Sequence, residues 1–338
     1  MDRLTHWIRQ HQVLAFFIIA FAITWPGFFL VFFIFPGNQI VEAFCSQVVF
    51  SPALSAMLIA GIAEPRPKLE PSRARWITFA VAWLIASSVQ TLYFWKIYQV
   101  ELSVLIVIVS CLFALMPAWV LSSAYARRPG VRKHFSTLLK PRGKVIWYLL
   151  IFAIFPGIQL LAMSITHLMG GQAEFFLAEA GFEGAAIYLL LEFSRGFLMT
   201  GGINEESGWR GFALPRLQAR YPVIVSVLIV WFFWALWHIP YDIGRGDPLA
   251  WILENRIVWN LVVSIIMAWL YNRTHGSILA PALFHPAMNT FGNVFSLNTA
   301  SRVLIIAVAV IAFVSDRMWQ KLPEDSLAVY RQTEIAEN

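Results

Sequence analysis

Two adjacent carboxylates, Glu205 and Glu206, sit in a strongly apolar chain with Arg210 one helical turn after them, in the run Asn204-Glu205-Glu206-Ser207-Gly208-Trp209-Arg210-Gly211-Phe212. Charged groups cost roughly 2.5–3.5 kcal/mol each at the centre of a membrane helix, so such a cluster needs a chemical reason. Further along, Trp231-Phe232-Phe233-Trp234-Ala235-Leu236-Trp237-His238 and Leu283-Phe284-His285-Pro286-Ala287-Met288-Asn289 place more polar groups within apolar runs. Carboxylate, imidazole, imidazole and amide are the parts of a hydrolytic site: a base for water and donors for a developing oxyanion.

The spacing divides the labour. With Asn204 as a helix cap, both carboxylates fall in the first turn, where the helix dipole favours negative charge. Glu206 and Arg210 then pair at i,i+4 with the acid N-terminal. Glu205 points about 100° away around the helix and stays free as a general base. The two acids titrate as a coupled pair. An interfacial Glu–Arg cluster with its charges in the headgroup zone accounts for the same residues without chemistry. His238 ends an apolar run beside Trp234 and Trp237, so a place in an aromatic belt competes with a catalytic role. His285 lies well inside an apolar run with Asn289 at i+4 on the same face, and helix–helix hydrogen bonding is the alternative there. Pro286 frees the carbonyl of Ala282 and permits a local kink. Glu192 and Arg195, at i,i+3, read as a structural ion pair inside a span. His6, His11, His134, His167 and His275 have no partner pattern.

The elements that must carry these groups follow from composition. The chain has 338 residues, 59% of them hydrophobic and only 13% charged. Soluble domains carry about 25% charge, so this is an integral membrane protein and not an anchored soluble enzyme. Its 15 Trp and 28 Phe suit a lipid-facing surface with aromatic belts. The net charge of +6 is not a nucleic-acid footprint, because the basic residues fall in short loops between apolar runs. Two cysteines, Cys45 and Cys111, exclude a disulfide framework or a cysteine metal site.

Apolar runs near 13–35, 40–63, 76–96, 101–125, 145–169, 184–201, 221–239, 257–271, 277–297 and 302–315 predict an all-α, polytopic bundle of about eight to ten transmembrane helices. The first run is too long, and lacks the small-residue site, to be a cleaved signal. With both termini cytoplasmic, only Lys96, Arg245, Arg256 and Arg302 fall in external loops, Arg195 lies within a run, and every other basic residue is inside. The basic loop from Arg127 to Lys144 divides the chain. Residues 1–144 form an N-terminal set of helices ending in that loop. Residues 145–315 form the chemical core, and 316–338 a polar tail, mobile after Leu322.

The three polar patterns resemble those of the CPBP (or ABI) family, the CAAX-processing and bacteriocin-processing intramembrane proteases, to which the type II CAAX prenyl endopeptidase belongs. Its patterns Glu-Glu-x-x-x-Arg, Phe-x-x-x-His and His-x-x-x-Asn correspond here to Glu205-Glu206 with Arg210, Trp234 with His238, and His285 with Asn289. Trp234 departs from the Phe of the second pattern. The runs Glu-Glu-Ser-Gly-Trp-Arg-Gly-Phe-Ala-Leu-Pro-Arg and Trp-Ala-Leu-Trp-His-Ile-Pro are similar to a bacterial branch, which implies a bacterial cytoplasmic membrane. The resemblance covers about residues 185–300.

It implies peptide-bond hydrolysis in the membrane. Glu205 and His238 would activate a water, His285 and Asn289 would bind the oxyanion, and Glu206 with Arg210 would orient them. The substrate would be a hydrophobic or lipidated peptide or protein reached through the membrane lipids. A divalent metal such as zinc on Glu205, His238 and His285 fits the donor types. These donors, however, come from separate helices and lack the His-Glu-x-x-His spacing, so a metal-free glutamate route stays open. A proteolytically silent immunity or peptide-binding factor, or an ion-coupled transporter, are the competing functions. Parallel spans would also leave His238 and His285 about 10 Å apart in depth. Tilt, a re-entrant helix after Gly201-Gly202, or a different number of spans would close that gap.

Overall fold

A backbone in lipid must satisfy its own polar groups, and helices do so within one segment. The computed structural model describes residues 3–38, 41, 46–64, 67–172, 180–294 and 298–331, and among these the regular elements are helical with no strands. Cys45, Glu174 and Glu179 lie outside the described residues. In chain order the first α-helices are α1 (Arg3–Gln10), α2 (Gln12–Phe29), α3 (Ser51–Ala63), α4 (Arg73–Lys96), α5 (Val104–Phe113) and α6 (Leu115–Ser122). There follow α7 (Pro129–Leu139), α8 (Val145–Leu168), α9 (Gly181–Leu198), α10 (Ile203–Gly208) and α11 (Leu214–Gln218). The last are α12 (Val223–Gly244), α13 (Leu249–Leu253), α14 (Asn260–Arg273), α15 (Leu279–Val294) and α16 (Thr299–Ser315).

Six described helical rods are long and apolar enough to cross a membrane: Gln12–Ile34, Arg73–Lys96, Val104–Tyr125, Val145–Leu168, Val223–Gly244 and Leu249–Arg273. Gln47–Ala63 and Thr299–Ser315 are shorter apolar helices. Two further sequence runs correspond to α9, which carries Glu192 and Arg195, and to α15, which carries His285. The protein is a polytopic membrane helix bundle. Its outer faces are apolar, with Val104, Leu105, Trp76 and Ile77 exposed where a soluble protein would place polar side chains.

Inside the bundle the chain is interrupted. Between α9 and α12 it turns back through α10, a π-helical turn at Trp209–Ala213, and α11, and all of these residues are buried. Such turns are frequent at functional sites, because they re-aim side chains relative to a regular helix. α10 packs on α3 and α15, while α12 packs on α2 and α14. Phe16 of α2 meets Trp209 edge-on at 5.3 Å and stacks on Phe212 at 5.4 Å. Helices before residue 144, which carry none of the three patterns, therefore help wall the interrupted segment.

Two expectations need correction. Glu192 and Arg195 form no ion pair within 4 Å among the described residues. Glu192 instead accepts from Tyr93 Oη–H at 2.6 Å and from Asn293 Nδ2–H at 3.5 Å. The Arg195 guanidinium lies 4.6 Å over the Tyr93 ring. Aromatic partners on α4, remote in sequence, outcompete the i,i+3 geometry. The chain after Leu322 also packs as far as Arg331, with Ala328 fully buried. Tyr330 N–H donates to Pro215 O at 3.0 Å, and Gln218 Nε2–H to Ala328 O at 3.0 Å. Its polar composition conceals these fixed anchor points.

Candidate active site

α10 starts two residues earlier than a cap at Asn204 requires. Gly202 is its N-cap, and Asn204 is inside the first turn. The Asn204 side chain still ties the entry together, accepting from Gly201 N–H at 2.8 Å and donating to Val49 O at 3.1 Å. Glu205 and Glu206 both remain in that first turn, where the peptide dipoles favour negative charge.

Their partners differ, as the spacing predicts. Arg210 Nη1 donates to Glu206 Oε1 at 2.9 Å and Oε2 at 3.2 Å, and its Nη2 donates to Ser264 Oγ of α14 at 2.9 Å. Glu206 and Arg210 are 0% and 1% exposed, so neither charge is tolerable without the other. His285 Nδ1 lies 2.9 Å from the same Glu206 Oε1, so the carboxylate fixes the imidazole as well as the guanidinium. Glu205 stays outside this network and accepts one bond, from Trp234 Nε1–H at 2.7 Å. It lies outside the six spanning rods. Burial pushes its carboxyl above the ordinary range, opposed by the nearby His285 and by the Trp234 hydrogen bond.

Trp234 joins the two halves of the site. Its indole holds Glu205, its carbonyl lies 2.7 Å from His238 Nδ1, and its ring is 5.5 Å from both imidazoles, edge-on to each. The Arg210 guanidinium lies 4.3 Å over the same ring. A carbonyl can only accept, so Nδ1 of His238 carries the proton, and Nε2 of the neutral ring offers a lone pair. His238 is half-buried and Asn289 likewise. The interrupted segment after Gly201-Gly202 thus brings Glu205, Glu206, His238 and His285 together around one indole. Asn289 is one turn beyond His285 on α15.

Several contributors have no signal in the three patterns. Ser264 takes the far side of Arg210. Gly201 has φ +111°, and a Cβ there would lie 2.9 Å from His285 Nε2, so only glycine lets the imidazole approach. His134 of α7 lies 2.9 Å from Ser207 O, one residue past the carboxylates. Burial and the neighbouring Arg216 push its imidazole down to about 3, which leaves a neutral ring donating from Nε2. A buried histidine in a motif-free region is not separable by sequence from the other unpartnered ones.

Zinc chemistry needs three convergent donors and an open position. Among the described residues no group of three or more His, Cys, Asp or Glu side chains is arranged to hold a metal ion. His285 sets Nδ1 against Glu206 and His238 sets Nδ1 against Trp234 O, so on each ring Nε2 is the nitrogen left for a further partner.

The fold and site define a membrane-embedded helix bundle with a buried glutamate–histidine cluster. Residues 187–291 match the family model described as type II CAAX prenyl endopeptidase Rce1-like. The CAAX prenyl protease 2 of Methanococcus maripaludis is 24% identical over 186 residues, covering 51% of this chain and 67% of that protein. The chain is similar to these proteins over that segment, and the matched segment holds every residue of the three patterns.

Proposed function

We propose that this protein is an intramembrane endopeptidase that hydrolyses peptide bonds of hydrophobic or lipidated, membrane-associated substrates with a water activated by Glu205 and His238. The observation that carries the reading is the separation of two carboxylates one residue apart. Glu206 is engaged by Arg210 and His285, while among the described residues Glu205 accepts from one indole, at Oε2, and its Oε1 is the oxygen left to face a water.

A water donating one O–H to Glu205 and the other to His238 Nε2 turns a lone pair toward the scissile carbonyl. As the C–O bond forms, Glu205 takes the water proton, and the carbonyl becomes an oxyanion. Asn289 Nδ2–H and His285 Nε2–H would receive that charge, each worth a few kcal/mol in the transition state. His285 already donates from Nδ1 to Glu206, so a second donation from Nε2 requires the imidazolium. Glu206, ion-paired with Arg210, lies beside that ring as its counter-charge. When the tetrahedral intermediate collapses, Glu205 returns its proton to the departing amine, a transfer helped by a carboxyl whose affinity for protons burial has raised.

The basic residues of the loops support both termini inside, the resemblance to a bacterial branch supports a bacterial cytoplasmic membrane, and the position of the three patterns supports residues 145–315 as the catalytic core. The test compares peptides from membranes carrying the wild-type chain or Glu205→Gln at equal abundance. A product found only with wild type, and persisting after exhaustive chelation, supports the glutamate route. Loss on chelation with rescue by zinc replaces it with a metal-bound water. Identical profiles with retained peptide binding favour a silent binding or immunity factor.

A further inference from the structure

Apart from the carboxylate–imidazole network, a cavity of about 720 Å³ opens between the loop at Pro67–Leu69, the end of the Val104–Tyr125 rod and α7. Lys68, Arg132, Lys133 and Lys140 line it together with Tyr125 and Ser136, and among the described residues no carboxylate does. Arg132 donates from Nε to Ala126 O at 2.9 Å and from Nη2 to Tyr125 O at 3.3 Å, so these partners are neutral carbonyls that fix its position, and among the described residues no carboxylate pairs with it. Lys133 alone has an acidic neighbour, Glu64 at 3.5 Å, from outside the lining. Such a concentration of one sign at a concave surface attracts an anion.

The cavity's height in the bundle says which anion. Arg73–Lys96 begins, Val104–Tyr125 ends and Val145–Leu168 begins around it, which places it where hydrocarbon gives way to headgroups. Leu69 N–H donates to Arg127 O at 2.7 Å, and Arg127 Nε–H returns to Leu69 O at 3.1 Å, holding the loop in place. Leu69, Leu139 and Trp76 are exposed apolar side chains at the same level. Cationic groups beside apolar surface match the two chemistries of a lipid: a phosphate and its acyl chains.

We propose that this cavity binds the phosphate headgroup of an anionic membrane phospholipid. A zwitterionic lipid brings its own ammonium into the basic lining and is the poorer ligand. A soluble phosphate leaves the apolar rim unused.

The experiment uses the purified full chain in neutral detergent, titrated with phosphatidylglycerol, phosphatidylcholine or inorganic phosphate while thermal unfolding is followed. Phosphatidylglycerol raises the unfolding midpoint saturably, because a ligand of the folded state stabilises it by mass action. The double variant Lys68→Gln/Lys140→Gln needs roughly tenfold more of this lipid for half the effect, as removal of two near-surface charges implies. Arg220→Gln, which removes an exposed basic residue outside the lining, responds as wild type. Should the double variant not fold, Lys68→Gln alone shows a smaller shift of the same sign. Equal response of the lining variants and wild type overturns the proposal. So does an equal effect of phosphatidylcholine, or saturation by inorganic phosphate at the lipid's concentration.

Discussion

Trp234 occupies the position where the family pattern has phenylalanine, and among the described residues it supplies the one hydrogen bond that Glu205 accepts. An indole donor stabilises the ionised carboxylate, whereas burial destabilises it. Base action needs the ionised form, so the rate falls as pH drops through the pKa of Glu205. The acid limb of kcat/KM against pH is therefore expected above the ordinary carboxylate range. Trp234→Phe keeps the ring that faces both imidazoles but removes the donor. It should leave the fold intact and move the acid limb to higher pH, and an unmoved limb would show that Glu205 is not the base. The pairing of Glu206 with Arg210, and the freedom of Glu205, were legible from spacing alone, because i,i+4 geometry is local. The role of Trp234 was not, since a tryptophan in an apolar run reads equally as belt or lipid-facing bulk. Glu192 and Arg195 misled for the same reason in reverse: a good local spacing lost to Tyr93 on a distant helix.

At the scale of the element, the interrupted segment from Gly201 to Gln218 decides the geometry, and its glycines are what let it fit. Gly201→Ala would set a Cβ 2.9 Å from His285 Nε2 at a left-handed φ. The imidazole must move, and loss of one oxyanion donor costs about a hundredfold or more in kcat. Substrate binding should change far less, so a matched fall in binding and turnover would contradict a positioning role. Gly208 packs directly on Pro52, where a Cβ would lie 2.7 Å from backbone atoms of α3. Backbone cannot rotate away as a side chain can. Gly208→Ala is expected to cost about 1–3 kcal/mol, read as a lower midpoint of thermal unfolding in detergent. Long apolar rods were readable in the sequence because lipid imposes a length on them. The segment between α9 and α12 left only the hint of Gly201-Gly202, since buried polar backbone that lines a site has no hydropathy signature.

Across the whole molecule, parts without any recognised pattern converge on the same segment that bears the carboxylates. Phe16 and Phe17 come from α2, His134 from α7, and Tyr330 from the far end of the chain. Sequence reading separated these regions because packing between remote helices leaves no pattern at either partner. The C-terminal contact is the most consequential of them. Arg216 Nε donates to Gln12 Oε1 at 2.8 Å, and its guanidinium lies 3.5 Å from the Phe212 ring centroid and 3.7 Å from that of Tyr330. Tyr330 also closes a backbone bond to Pro215, and Ala328 accepts from Gln218. Truncation after Leu322 strips one aromatic contact from a buried guanidinium and two hydrogen bonds from α11. The remaining partners, Gln12 and Phe212, are on α2 and the π-helical turn, so the segment loosens from its far end toward Glu205. Hydrogen exchange of residues 209–218 should accelerate in the truncated chain, while the Arg73–Lys96 rod, which packs on α5, α6 and α9, exchanges as in wild type. Acceleration spread evenly over all helices would mean global destabilisation. An unchanged pattern would reduce the C-terminal strap to a passive cover over a segment that its own helices already hold.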